Sequence, residues 1–241
     1  EFIRKQSAEY QYADILNNIF CTGNESGDRT GTGTTRIQST VVHADLRKEF
    51  PILIGKKINF QNAFTEMVWM LLGRTDVEWL RNNGVNYWNE WEGADGTIGK
   101  GYGKQFRDFN GLDQLQDVVD QLKTNPDTRR ALISLWNPNE LKETTLPPCH
   151  FIYHFLSYVD QHTGKRTLDL HTTQRSADFF LGVPYNLCMS GIFLTLMAKF
   201  VGMEVGSIHQ TFHDSHIYAN HSEQVEKYLS NDDKIFHGVQ Y

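Results

Sequence analysis

Cys149 stands in Leu146-Pro147-Pro148-Cys149-His150, where an extended, strand-like stretch begins. The two prolines fix the backbone ahead of it and make a rigid platform for a side chain. A thiol in that setting is either a buried structural cysteine or a nucleophile, and nearby positive charge favours the reactive thiolate by lowering its pKa. Arginines supply such charge in three polar clusters: Arg29 in the Gly-rich loop GDRTGTGT, Arg129 and Arg130 after Asn125-Pro126-Asp127-Thr128, and Arg175 in Gln174-Arg175-Ser176. The planar fork of arginine donates two hydrogen bonds at once and suits phosphate, although each of these residues alone also reads as a solvated surface charge. GTGTT lacks the Gly-Lys-Ser/Thr ending of a nucleoside-triphosphate loop. Glu66 is the one charge between Phe64 and Leu72; it is either at a helix's polar edge or buried with a raised pKa, able to exchange protons. Asn186, after Gly182-Val183-Pro184-Tyr185, is a turn residue or an amide able to pair with a base edge. His213, His216 and His221 invite a metal reading that no helical HExxH or cysteine partner supports, so no metal is expected.

The elements that must position these groups follow from periodicity. Tyr12, Ile15, Leu16, Ile19 and Phe20 recur at helical spacing and predict an amphipathic helix before the Gly-rich loop. Val42, Ala44 and Leu46 alternate as in a strand, whereas Ala63–Leu72 is apolar almost all round and predicts a buried helix. Leu112, Leu115, Val118, Val119 and Leu122 mark another helix, ended by Asn125-Pro126. Arg130–Trp136 reads as a short strand, Cys149–Val159 and Arg166–Thr173 as a hairpin, Leu187–Val201 as a core helix and Val205–Phe212 as a further strand. Helices and strands mix without strict alternation, which predicts α+β architecture. No repeat or linker interrupts residues 1–241, so one domain is expected. The formal charge of −6 opposes broad electrostatic binding to nucleic acid or acidic membranes. Cys21, Cys149 and Cys188 form no paired spacing, the N-terminal EFIRKQSAEYQYADIL lacks the apolar stretch of a signal peptide, and no apolar run approaches the roughly 20 residues that cross a bilayer. A reducing, cytoplasmic setting is therefore expected.

From about Tyr10 to Glu223 the chain resembles the thymidylate synthases in the order and spacing of ten blocks: DRTGTGT, FPILIGKK, the Glu66 helix through GRTD, YWNEW, GYGKQFRDF, NPDTRR, LWNPNEL, LPPCH, QRSADFFLGVPYN and DSHIYANH. The resemblance implies a mixed sheet packed with helices, one sheet face forming the interface of a homodimer. It implies 5,10-methylenetetrahydrofolate and a pyrimidine nucleotide as substrates. Cys149 would add to C6 of the pyrimidine. Arg29 and Arg175, with Gln174 and Ser176, would hold the substrate and its phosphate, and Arg129 and Arg130 would reach the same phosphate from the other subunit. Asn186 would read the base edge; His216 and Tyr218 would hold the deoxyribose hydroxyl. Glu66 would organise water and shuttle protons, with Tyr102, His150 and Asp178 in the same network. Lys56, Trp88, Trp91, Leu146, Asp178, Gly182 and Tyr185 fall where the family meets the folate.

In that family, thiolate addition turns C5 into an enolate carbon that attacks the folate-borne methylene, splitting one hard step into easier ones. Loss of the C5 proton leaves an exocyclic methylene, at which the family divides. Hydride from the folate gives dTMP and dihydrofolate, whereas water gives a 5-hydroxymethyl nucleotide. Asparagine at position 186 suits dUMP, where deoxycytidylate hydroxymethylases carry aspartate. LPPCH and QRSADFFLG follow the methylating branch. Asn59, Asn89, His213 and Ser190 depart from the family's usual histidine, aspartate, glycine and tyrosine, and the stretch after NHSEQV is shorter than the family's closing tail, which favours water capture. A nucleotide-binding regulator without catalysis is the alternative of a different class.

Overall fold

The structure, a computed structural model, describes residues 7–28 and 30–230. Arg29 and residues 231–241, which carried the loop-phosphate and closing-tail expectations, lie outside the described residues.

The first helix, α1 (Ala8–Thr22), starts where the Ser7 side chain accepts the Tyr10 N–H, and it buries Tyr12, Leu16 and Ile19. Phe20, counted in the apolar stripe, instead faces outward. A short β1 (Asn24–Ser26) and the long β2 (Thr34–Asp45) follow. Helix α2 (Phe60–Leu71) is capped by Asn59 and buries Ala63, Glu66, Met67, Trp69 and Met70. Phe64 and Leu72 are exposed, so the all-round burial expected there is corrected to one buried side. Two short helices, α3 (Val77–Asn82) and α4 (Gly103–Arg107), were not anticipated, because neither is long enough to display two turns of a periodic pattern. Helix α5 (Gln114–Thr124) is capped by Asp113, buries Val118 and Leu122 and stops before Asn125-Pro126; Leu112 precedes it and is exposed.

Strand β3 is only Leu132–Ser134, and β4 (His150–Val159) and β5 (Arg166–Gln174) form the expected hairpin. After β6 (Ala177–Asp178), helix α6 (Gly182–Val201) begins five residues earlier than expected, because Pro184 falls in its first turn, where a proline is tolerated. At 20 residues α6 is long and apolar enough to cross a membrane by composition, which corrects the statement that no run approaches that length; most of it is buried inside the protein. Strand β7 (Glu204–Tyr218) continues through His216, well past the expected Phe212, and α7 (Ser222–Leu229) closes the described chain.

The strands make one mixed sheet in the order β1-β2-β7-β5-β4-β3, with β6 beside β7. Strand β7 is its axis: antiparallel to β2, parallel to β5 and β6. Helices α1 and α6 pack on the sheet and α2 on α6, an α+β arrangement as the sequence implied.

Alternate strand residues such as Val42, Leu170, Ile208 and Phe155 enter the core. Four of the intervening positions, one on each of β2, β7, β5 and β4, carry histidine: His43 is in register with His209, His209 with His171, and His171 with His154. Their ring centroids are 4.5, 4.4 and 6.4 Å apart along this row, and His43 and His209 bring their Nδ1 atoms to 3.2 Å. Partial burial and the neighbouring His209 hold His43 and His171 below the ordinary imidazole pKa, with Asp169 opposing the shift of both and Asp45 that of His43. A group whose pKa is depressed on folding binds its proton more readily unfolded, so its stabilising effect is present above about pH 6.5 and lost below it. The urea midpoint is therefore expected to fall from about pH 7.5 to 5.5, and less steeply in His171→Gln; parallel curves for the two proteins would show that the row does not govern acid sensitivity.

Candidate active site

Cys149 sits one residue ahead of β4, where an irregularity interrupts pairing between His150 and Ile152. Its backbone is held from both ends. The Cys149 N–H donates to the Tyr102 hydroxyl at 3.0 Å, and the Cys149 carbonyl accepts the Arg175 N–H at 2.9 Å. The Arg175 guanidinium donates to the carbonyls of Pro148 and Pro147, both at 2.9 Å, and lies over the Trp136 ring. Proline supplies no N–H, so these carbonyls are the polar groups of the turn that most need partners. Burial pushes the Cys149 thiol above its ordinary pKa, while Arg175 and the Tyr102 hydroxyl pull it down. This corrects the expectation of a net lowered thiol. Of the arginines proposed to surround it, Arg175 alone acts on it among the described residues of the chain.

Cys149 opens into a cleft of about 190 Å³. Glu66 on α2 is buried there, and its carboxylate accepts from the Tyr87 hydroxyl at 2.5 Å and the Trp88 indole N–H at 2.9 Å. Burial raises its pKa against the pull of both bonds, which resolves the two readings of this residue in favour of a buried acid. Tyr87 was missed by sequence reasoning, although it stands in the YWNEW block beside Trp88. Tyr102 and His150 stack at 4.8 Å, and His150 Nδ1 lies 2.5 Å from the Tyr153 hydroxyl. Burial lowers the His150 pKa to about 4, which leaves the ring neutral at pH 7. Tyr102 has a backbone φ of +31°, a strained value for a residue with a side chain. Gly103 follows so closely that a Cβ there would lie 2.2 Å from the Arg74 carbonyl.

On the opposite wall, Asn186 comes from the first turns of α6, and its Oδ1 accepts the Gln174 Nε2–H at 3.1 Å. Asp178 and Ser176 join the lining from the segment after β5, with Asp178 accepting the N–H groups of Phe180 and Leu181 at 3.1 and 2.9 Å. Trp91, Leu146 and Gly182 also line the cleft. The flat indoles and the apolar Leu146 make a surface fit to receive an extended heteroaromatic ring beside the thiol.

The remaining expected residues lie around this centre or away from it. His216 pairs with Asp178 across β6 and β7, and its Nδ1 is 2.8 Å from Asp214; its ring lies 5.4 Å from Tyr218. Lys56 donates to the Phe180 carbonyl and holds its Nζ 3.5 Å from the Phe180 ring centre; burial lowers its pKa to about 8. Tyr185 stands 5.9 Å from Tyr87, ring to ring. Arg129 and Arg130 are exposed in a different groove, with Asp117 and Asp127, and do not line the Cys149 cleft of their own chain. His213, His216 and His221 turn to different partners: Phe151, Asp214 and Phe180.

Arg175 both clamps the turn and opposes the burial that disfavours the thiolate. Arg175→Ala is expected to move the Cys149 titration further up and slow its alkylation by iodoacetamide at about pH 8 by at least threefold, read by mass spectrometry of the Cys149 peptide. An unchanged alkylation rate would remove Arg175 from any part in thiol activation.

A sequence model described as Thymidylate synthase matches residues 10–239 of the 241 in the chain. That span takes in the clamped thiol, the buried acid and the carboxamide wall alike. The chain belongs to the thymidylate synthase family, one-carbon transferases that act on dUMP with methylenetetrahydrofolate as co-substrate.

Proposed function

We propose that this chain converts dUMP and 5,10-methylenetetrahydrofolate to dTMP and dihydrofolate through a covalent bond between Cys149 Sγ and C6 of the pyrimidine. The observation that carries the reading is the single cleft in which a backbone-clamped thiol, a buried carboxyl and a carboxamide meet. Thiolate addition at C6 breaks the C5–C6 π bond and makes C5 nucleophilic, and C5 bonds to the methylene carbon of the folate. Removal of the C5 proton expels the folate nitrogen and leaves an exocyclic methylene. Hydride from the reduced pteridine completes the methyl group, and the sulfur leaves as the ring double bond reforms. Glu66, raised in pKa by burial, suits proton exchange through water. The Asn186 carboxamide suits uracil, donating to O4 and accepting N3–H. The blocks LPPCH and QRSADFFLG support methylation over hydroxymethylation.

We further propose a homodimer in which Arg129 and Arg130 serve the partner's phosphate, a reading supported by their exposure outside their own chain's cleft.

An absorbance rise from dihydrofolate, with dUMP as substrate, is the expected outcome. Tritium release from C5 without dihydrofolate would make the enzyme a hydroxymethylase instead, and neither signal would leave a binding protein. Cys149→Ser is expected to lose at least about a thousandfold in kcat; turnover within tenfold of the parent would sink the covalent route. Mixing inactive Cys149→Ser with Arg130→Ala chains is expected to restore activity above that of either alone, and failure of every mixture to do so would refute the shared site.

A further inference from the structure

Behind the cleft wall runs an unbroken line of buried neutral hydrogen bonds. The Ser190 hydroxyl donates to Gln210 Oε1 at 2.9 Å, Gln210 Nε2 donates to Gln174 Oε1 at 2.5 Å, and Gln174 Nε2 donates to Asn186 Oδ1 at 3.1 Å. Ser190, Gln210 and Gln174 are 4, 1 and 1 % exposed. Both ends of the line are on α6, one helical turn apart, and its middle is carried by β7 and β5. Gln174 and Asn186 line the cleft; Ser190 and Gln210 do not.

We infer that Ser190 and Gln210 are positioning residues which, through Gln174, fix the orientation of the Asn186 carboxamide and thereby the choice between a carbonyl and an amino group at the 4-position of the pyrimidine. This inference rests on the functional reading above. Each carboxamide in the line has one donating and one accepting end, so turning one over obliges its neighbours to turn as well. With its oxygen held on the Gln174 side, where its second lone pair can also accept N3–H, Asn186 sets its NH2 end against the 4-position of the ring. That end bonds a 4-carbonyl and opposes a 4-amino group, where two donors would meet without an acceptor. Discrimination at the cleft thus begins one layer behind it, in two residues that do not reach the substrate.

A carboxylate at position 210 can only accept. It would take the Ser190 hydroxyl, and Thr172, in register with position 210, carries a buried hydroxyl lacking a partner among the described groups. Gln174 would then turn its NH2 towards Glu and its oxygen towards Asn186, and Asn186 would turn its oxygen to the cleft. In Gln210→Glu, assayed at about pH 8, the ratio of kcat/KM for dUMP to that for dCMP is expected to fall at least about tenfold, with activity on dCMP rising in absolute terms. Gln210→Leu breaks the line without reversing it and is expected to lose dUMP activity with no gain on dCMP. Ser190→Thr, which keeps the hydroxyl, is expected to keep the parent ratio, and Ser190→Ala to lower it about threefold.

A merely structural role would depress both substrates together. An unchanged ratio in folded Gln210→Glu overturns the inference; should that variant not fold, an unchanged ratio in Ser190→Ala does so. A parent protein that neither binds nor turns over dUMP or dCMP would instead overturn the functional reading itself, and the inference with it.

Discussion

The site depends on one guanidinium performing two tasks. Arg175 satisfies the carbonyls of Pro147 and Pro148 and, among the described residues, is the one cation acting on the Cys149 thiol. These tasks are linked through the prolines. A Pro-Pro turn gives a stiff approach to the strand, but it leaves carbonyls in a half-buried place with no neighbouring N–H to pair among themselves. An arginine fills that need because its fork reaches two acceptors at once. Its charge is then fixed beside the sulfur at no additional cost in side-chain freedom.

Burial works against ionisation throughout the cleft. Cys149 and Glu66 are pushed up and His150 is pushed down, so burial favours the neutral form of each. A cleft of this kind gains electrostatic leverage, since charge that develops during reaction is poorly screened there. Its cost is that few thiolates are present at rest. Tyr102 is under backbone strain, stacks on His150 and accepts the Cys149 N–H, so the strain sits where it sets the position of the sulfur.

Much of this was legible in the sequence. Helices α1 and α5 and the β4–β5 hairpin were readable because apolar periodicity and flanking breakers agreed. The cleft was legible mainly as a set of blocks in order, since Glu66, Trp88, Tyr102, Cys149 and Asn186 are spread over more than half of the chain and only the fold joins them. What periodicity could not reveal was polarity in depth. Gln210 and Ser190 occupy strand and helix positions that otherwise read as core, and a side chain's hydrogen-bond partner across a sheet leaves no local trace. The direction of the thiol shift was misread for a related reason: sequence displays nearby charge but not desolvation, and here desolvation outweighs the charge. Extension of β7 to Tyr218 was hidden by the polar run HDSH, which a strand tolerates because β2 and β6 supply its backbone partners.

Lys56 shows what desolvation does outside the reacting centre. Its ammonium, pressed against the Phe180 ring and carbonyl, has a pKa of about 8, so an appreciable share of molecules carry no charge there in mildly alkaline solution. An anion settling against this side chain favours the charged form. Its capture must then draw protons from the solvent, leaving a weakly buffered medium slightly more alkaline and making the heat of association vary with the ionisation enthalpy of the buffer.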